Sequence, residues 1–248
     1  MIDTHAHLDA LDDDPSAVLA RARAAGVDRV IAVGTGLDSC REALALSERE
    51  GGVYAALGIH PHQARDGVAA EALEPLLGHP NAVAVGETGL DFYRDYAPRD
   101  RQRELFRAHV ELATRTRKAL VVHSRAADME TVGVLTDAAD ETTVVLHCFS
   151  STGLLAAALE RGWYVSFAGN VTFPNARELR SAAAQVPAAR ILVETDSPYL
   201  APQPVRGRRN EPANVVHTLA ALAEARHEDV GELAARIDEN AARAFGLP

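Results

Sequence analysis

Short apolar runs recur along this chain, and between them the apolar positions switch to a helical spacing. The first run, at Met1-Ile2, is broken at once by Asp3, His5 and His7. Later runs are Val27 to Val33, Val53 to Ile59, Ala82 to Val85, Ala119 to Val122, Thr143 to Leu146, Trp163 to Phe167 and Ile191 to Val193. Continuous Val/Leu/Ile/Ala stretches of this length mark strands buried on both faces, as in a parallel sheet. Asp14-Pro15 supplies an N-cap and a first-turn proline, which predicts a helix through about Ala25. Helices are also predicted over Ser39 to Arg49 and near Ala69 to Leu77, and the longest over Arg99 to Arg117. In that last segment Leu105, Phe106, Val110 and Leu112 fall on one face. Two more follow near Asp128 to Ala138 and Gly153 to Arg161, and the Ala-rich segment Pro212 to Phe245 reads as helix with a break near Arg226 to Asp229.

Eight strands separated by helices in 248 residues predict an α/β fold, a (β/α)8 TIM barrel forming a single domain over residues 1–248. A doubly wound open sheet is the competing arrangement, but it usually opens on a glycine-rich turn, and here the first turn is Leu8-Asp9-Ala10-Leu11. No linker, low-complexity tract or short repeat divides the chain.

Composition changes this picture in two ways. Cys40 and Cys148 are the only cysteines and lack Cys-x-x-Cys spacing, which excludes a disulfide framework and points to a reducing compartment. The N-terminal residues lack a basic segment followed by an apolar one, and no run reaches membrane-spanning length. The expectation is a cytoplasmic protein with no membrane partner. The net charge of −10 excludes broad electrostatic adhesion to nucleic acid, though a locally positive cleft remains compatible with it. Arg206, Arg208 and Arg209 offer such a local cluster.

The chemistry lies where the apolar runs stop. His5 and His7 are two apart on the first strand, so their imidazoles share a face. The run from Ala82 ends at Glu87, that from Ala119 at His123, that from Val144 at His147, and that from Ile191 at Asp196. Such side chains are costly to bury without partners, and five strands ending this way imply a shared metal centre. Four imidazoles and two carboxylates exceed the needs of one four-coordinate ion and suit two ions sharing a bridge. Glu87, with two oxygens, is the natural bridge. One ion would sit on His5, His7 and Glu87, the second on Glu87, His123 and His147. Asp196 would ligate the first and take a proton from the attacking water.

At these residues the chain resembles the TatD family of metal-dependent hydrolases, a DNase-like branch of the amidohydrolase barrels. The resemblance is carried by Asp3-Thr4-His5-Ala6-His7-Leu8-Asp9, Gly58-Ile59-His60-Pro61-His62, Gly86-Glu87-Thr88-Gly89-Leu90-Asp91-Phe92 and His123-Ser124-Arg125. It continues in His147-Cys148-Phe149-Ser150, Gly169-Asn170-Val171-Thr172-Phe173, Glu194-Thr195-Asp196-Ser197-Pro198-Tyr199 and Arg206-Gly207-Arg208-Arg209-Asn210-Glu211-Pro212. It implies a TIM barrel with a divalent-metal site and phosphodiesterase activity on DNA, often from the 3′ end. By position it gives His5, His7, Glu87, His123, His147 and Asp196 metal-binding roles. Two positions depart: Ala126 stands where relatives often carry an acidic residue, and Ser151 where they often carry glycine. Neither removes a ligand; both bear on the cleft wall and so on substrate preference.

The expected activity is therefore a divalent-metal-dependent 3′–5′ exodeoxyribonuclease, with DNA as partner and two ions (magnesium, manganese or zinc) as cofactors. Hydrolysis of a small amide, cyclic or phosphoester substrate by an amidohydrolase-type enzyme is the alternative. His60 and His62 either orient the scissile phosphate or cap the barrel rim. Arg125 suits a bidentate grip on phosphate, and Arg206 lies on the loop after the last strand, which in TIM barrels often borders a phosphate site. Cys148, adjacent to His147 on a strand, is expected to face away and is rejected as a nucleophile. His79, His109, His217 and His227 read as structural or surface residues. With aromatic residues at 5%, no long stacking platform is expected, but Tyr199 or Phe92 can stack on one terminal base.

Overall fold

The computed structural model describes residues 1–94, 96–138 and 141–248. Strands Ile2–Ala6 (β1), Arg29–Gly34 (β2), Val53–Leu57 (β3), Ala82–Asp91 (β4), Ala119–Arg125 (β5), Val144–Leu146 (β6), Tyr164–Phe167 (β7) and Ile191–Val193 (β8) pair in sequence order. Every pairing is parallel. Beyond the end of β8 the ring closes on β1 through a bridge between Ala6 and Ser197 and the bonds Asp196 N–H to His5 O (3.0 Å) and His7 N–H to Ser197 O (2.8 Å). The result is the expected TIM barrel.

The connecting helices are Pro15–Ala24 (α1), Leu37–Arg49 (α2), Glu74–Leu77 (α3), Arg99–Thr116 (α4), Asp128–Ala138 (α5), Leu155–Arg161 (α6), Arg177–Gln185 (α7), Val215–Arg226 (α8) and Val230–Phe245 (α9). Asp14 caps α1 as its sequence predicts, its carboxylate accepting from Ala17 N–H. The break in the C-terminal segment also has a local cause. His227 ends α8 in the left-handed region (φ 55°), and the Asp229 carboxylate caps α9 by accepting from Gly231 and Glu232 N–H. Every residue of β1, β4, β6, β7 and β8 is buried, so the core is the barrel wall and the helix faces packed on it. No helix among the described residues is long and apolar enough to cross a membrane.

Three elements differ from the hydrophobic pattern. Strand β4 runs on to Asp91, six residues beyond the apolar run, and β5 runs on to Arg125, so Glu87, His123 and Arg125 lie within strands. The segment near Ala69 to Leu77 is a 3-10 turn over Ala70–Leu73 followed by the single turn of α3. Helix α7 is not among the predicted helices: its inward stripe is only Leu179, Ala182 and Ala183, too short and too small to stand out beside that of α4.

Candidate metal centre

The C-terminal ends of the strands converge on one carboxylate. Glu87 is brought there by the close approach of β4 to β5, which two glycines permit. A Cβ on Gly89 (φ 130°) would stand 2.0 Å from the His123 carbonyl oxygen, and one on Gly86 (φ 138°) 2.5 Å from that of Val121. Only glycine fits either position. His5 reaches inward from β1, and His7 follows just past its end. His147 lies one residue beyond β6, its N–H bonded to Val122 O at 3.1 Å. Asp196 lies three residues beyond β8 in the left-handed region (φ 55°), a conformation that aspartate tolerates better than most residues.

The two oxygens of Glu87 face different donors. Oε2 lies 3.4 Å from His5 Nε2 and 3.5 Å from His7 Nε2. Asp196 Oδ1 completes that side, 3.5 Å from His7 Nε2 and 3.9 Å from His5 Nε2. Oε1 lies 2.9 Å from both His123 Nδ1 and His147 Nε2, and 3.3 Å from His60 Nε2. The structure thus brings together all six candidate ligands. It adds His60, whose other nitrogen accepts from His62 N–H at 3.2 Å, so this residue both caps the rim and faces the cluster.

Donor chemistry favours a cation here. His5 Nε2 and His7 Nε2 stand 3.3 Å apart, and a single shared proton is all that this contact can use. The His5 and His147 rings stack at 4.0 Å, which sets two basic groups face to face. Three sets of ligand atoms (His5/His7/Glu87, His5/His147/Asp196 and His60/Glu87/His123) each lie within 4.8 Å of one another. The cluster can therefore hold metal.

Its electrostatics are those of mutually compensating charges in a buried site. Burial acts to raise the Glu87 carboxyl, but His147, His60 and His123 overcome it and hold Glu87 well below the usual carboxylate range. Burial likewise opposes a proton on His147, yet Glu87 and Glu194 raise it well above an ordinary imidazole. Burial lowers His60 to about 4. Asp196 is held low, against burial, by His7, His147 and His5, so it stays ionised.

Three acidic residues that the sequence reading left without roles hold the cluster in place. Glu194 Oε1 accepts from His147 Nδ1 at 3.2 Å and from Cys148 N–H at 2.7 Å. Asp91 Oδ2 lies 2.8 Å from His62 Nε2 and 3.5 Å from His123 Nε2, while its Oδ1 accepts from Tyr93 and Arg94 N–H. Asp3, fully buried, accepts from Thr195 N–H at 2.9 Å and its hydroxyl at 2.5 Å, tying β1 to the segment that carries Asp196. Asp3 sits two residues before His5 within β1, and that same-face spacing is the signal that could have found it; Glu194 and Asp196 lie past the end of β8, where alternation gives no such signal.

The remaining expectations are met unevenly. Arg125 lines a cleft of about 780 Å³ over the cluster, its guanidinium 4.1 Å from the Tyr93 ring centroid. Arg206 lies 3.9 Å over the Phe173 ring and is absent from the cleft lining among the described residues; Arg209 pairs with Asp12. Phe92 is not available for stacking: it packs on the core, with Arg99 and Arg103 over its ring at 4.5 and 5.2 Å. Cys148 does not face away. It is past the end of β6 with φ 45°, so strand alternation does not apply, and it lines the cleft. Burial and the nearby Asp196 raise its thiol well above the usual range, so it remains a poor nucleophile for a different reason. Ala126 and Ser151 do not line the cleft; Ser151 accepts from Gly153 N–H and donates to Asp128. His109 is structural, bonded to Ile59 N–H and Leu105 O.

A family model described as TatD related DNase matches residues 2–246. An uncharacterized metal-dependent hydrolase, TatD, of Mycobacterium tuberculosis is 43% identical over 260 residues, covering 100% of this chain and 98% of that one. A Cronobacter sakazakii protein named 3′-5′ ssDNA/RNA exonuclease TatD is 37% identical over 243 residues, 94% of this chain and 92% of that one. Among solved structures, YJJV, a TatD homolog from Escherichia coli, matches with a TM-score of 0.92 at 33% identity, over 100% of this chain and 98% of that one.

Proposed function

The chain belongs to the TatD-related DNase family, and from that premise we propose that it is a nuclease that shortens single-stranded DNA from the 3′ end using two divalent ions. The observation that carries this reading is the division of labour at Glu87, whose two oxygens face separate sets of imidazoles. His5, His7, Glu87 Oε2 and Asp196 would hold one ion; Glu87 Oε1, His123 and His147 would hold the other. Imidazole-rich ligation suits zinc, and the carboxylates admit magnesium or manganese. Ions bound there would supply Lewis acidity, polarising the phosphodiester and lowering the pKa of water toward about 7.

The chain's own groups then have distinct tasks. The Asp196 carboxylate, kept ionised, takes the proton of the attacking water. Arg125 offers in-plane N–H donors to the phosphate while its face rests on Tyr93. Glu194 fixes the His147 ring so that Nε2 faces Glu87. Both cysteines are unpaired, in keeping with action in the cytoplasm.

The test is cleavage of 5′-labelled single-stranded DNA by chelator-stripped protein, resupplied with magnesium, manganese or zinc. Stepwise shortening from the 3′ end is expected only with metal. Glu87→Ala should reduce it by about 100-fold or more, since outer-shell partners alone commonly cost about 10- to 100-fold. Asp196→Asn should slow cleavage while leaving DNA binding in place. Failure to cleave with any ion, by protein shown to bind metal, would overturn the reading.

A further inference from the structure

Among the described residues, the exposed aromatic side chains are Tyr93, Tyr96 and Tyr199, and two of them, Tyr96 and Tyr199, line the cleft over the metal cluster. Elsewhere the chain covers its rings: Phe106, Phe149 and Phe167 are in the core, and Trp163 and Tyr164 are buried. An exposed ring leaves apolar surface in water, so two in one cleft point to a ligand with flat apolar faces. The Arg125 guanidinium lies over Tyr93, at 4.1 Å. Tyr96 and Tyr199 remain, 49% and 58% exposed and both lining the cleft, with Arg94 approaching the Tyr96 ring only at 6.0 Å.

Their positions divide as Glu87 divides. Tyr199 meets His7 edge to face at 5.9 Å, on the side of Glu87 Oε2. Tyr96 stands perpendicular to His62 at 4.7 Å; His62 packs on His60 at 4.3 Å, and His60 faces Glu87 Oε1. A phosphodiester carries a nucleoside on each of its two ester oxygens. A phosphate held over Glu87 would direct one arm toward each tyrosine.

We propose that Tyr96 and Tyr199 are stacking surfaces for the two bases flanking the scissile phosphate, and that they restrict the site to unpaired nucleotides. The proposal rests on the nuclease reading above and names the substrate feature which that site selects. Bases within a duplex already stack on their neighbours and cannot splay onto two separate rings without unpairing, whereas single-stranded bases can. Stacking on a ring is tolerant of sequence because every base has a π face. These tyrosines are therefore specificity determinants, distinct from the groups that act on the phosphate.

The experiment compares wild type with Tyr96→Ala, Tyr199→Ala and the two Tyr→Phe variants, all as metal-loaded enzyme. Substrates are a single-stranded oligonucleotide and two versions lacking one base, at the 3′-terminal or the penultimate position. For wild type, removing either base should raise KM by about 5- to 100-fold. Each Ala variant should raise KM on intact DNA by a similar factor, with kcat moving far less. Each should also lose discrimination against one of the two abasic substrates, which assigns its ring to that base. The Phe variants should behave as wild type. A 2-aminopurine base next to a cleavage-resistant phosphorothioate gives a second readout, quenched on binding by wild type and the Phe variants but less by the matching Ala variant. Ala variants with unchanged KM and unchanged base-to-abasic ratio, on DNA that wild type cleaves, would sink the proposal and leave the nuclease reading standing. Wild type that cleaves no oligonucleotide would remove both.

Discussion

His147 uses both of its ring nitrogens, and that shows how much of the centre depends on residues that touch no ion. Nδ1 donates to Glu194 Oε1, so Nε2 is left to face Glu87 Oε1 at 2.9 Å. Glu194 also accepts from Cys148 N–H, which anchors the residue after His147 in its left-handed conformation. Glu194→Gln keeps the shape but lets an amide group face that N–H and weakens the charge behind the imidazole. The expected result is a 10- to 100-fold loss of metal affinity or cleavage rate, roughly the usual effect of removing a carboxylate behind a metal-facing histidine. Chelator competition and cleavage assays on the same preparation would measure it; unchanged affinity and rate would show that Glu194 merely fills space. The six candidate ligands were legible in the sequence because four of them follow apolar runs that make a polar side chain conspicuous, and His5 and His7 share a face at period-two spacing. Glu194, Asp91 and Asp3 were not, because each role is set by a residue far away in sequence, such as Thr195 for Asp3. Cys148 was misplaced for a local reason: a positive φ past the strand end cancels the alternation that orientation arguments rest on.

At the level of elements, the runs located all eight strands but not their ends. β4 and β5 continue past their apolar stretches because Gly86 and Gly89 let the two backbones approach, and no hydrophobic pattern records a missing Cβ. α7 was missed because its inward stripe is short, Leu179 and two alanines. α4 was plain from its stripe, yet one buried position on it is His109, a residue with consequences for stability. His109 Nε2 accepts from Ile59 N–H at 3.1 Å and Nδ1 donates to Leu105 O at 2.8 Å, so the neutral ring is fully bonded. Burial lowers its pKa to about 4, while Leu105 O and the more distant Glu71 charge act to raise it. The unfolded chain takes up this proton near the ordinary value of 6.5, whereas the folded chain resists until about pH 4. Stability contributed by the neutral ring is therefore present above about pH 6.5 and falls as pH drops toward 4, by up to about 1.4 kcal/mol per pH unit. His109→Gln retains a donor and an acceptor but cannot titrate. In urea unfolding with chelator present, wild type should lose about 2–3 kcal/mol more than this variant between pH 7 and 4.5. Parallel pH profiles for the two proteins would refute the assignment.

Over the whole molecule, the net charge of −10 and a polyanionic substrate are reconciled by where arginines lack acidic partners. Away from the cleft many guanidiniums are paired, as Arg21 is with Asp13 and Glu211, Arg23 with Glu50, and Arg236 with Glu228. At the cleft, Arg94 and Arg125 form no ion pair among the described residues and rest on tyrosine rings instead. The attraction for phosphate is thus local, while the rest of the surface is on balance repulsive, so only a short stretch of strand can be held electrostatically. Each phosphate contact on a single strand contributes a slope of about −0.7 to the logarithm of affinity against that of salt. With one arginine at each of two phosphates, the slope should be near −1.4, and binding should weaken only about sevenfold between 50 and 200 mM salt. A basic track contacting 6 to 10 phosphates of a single strand would have a slope of about −4 to −7 and lose roughly 300- to 16,000-fold over the same range. Titrating a cleavage-resistant oligonucleotide at several salt concentrations separates the two, and Arg125→Gln should flatten the slope by about 0.7 if it neutralises one phosphate. A steep slope that this substitution leaves intact would mean that DNA is gripped elsewhere on the surface. A shallow slope combined with strong dependence on Tyr96 and Tyr199 would instead assign most of the affinity to stacking at the strand end. Such a balance suits an enzyme that takes hold of a terminus rather than the length of a strand.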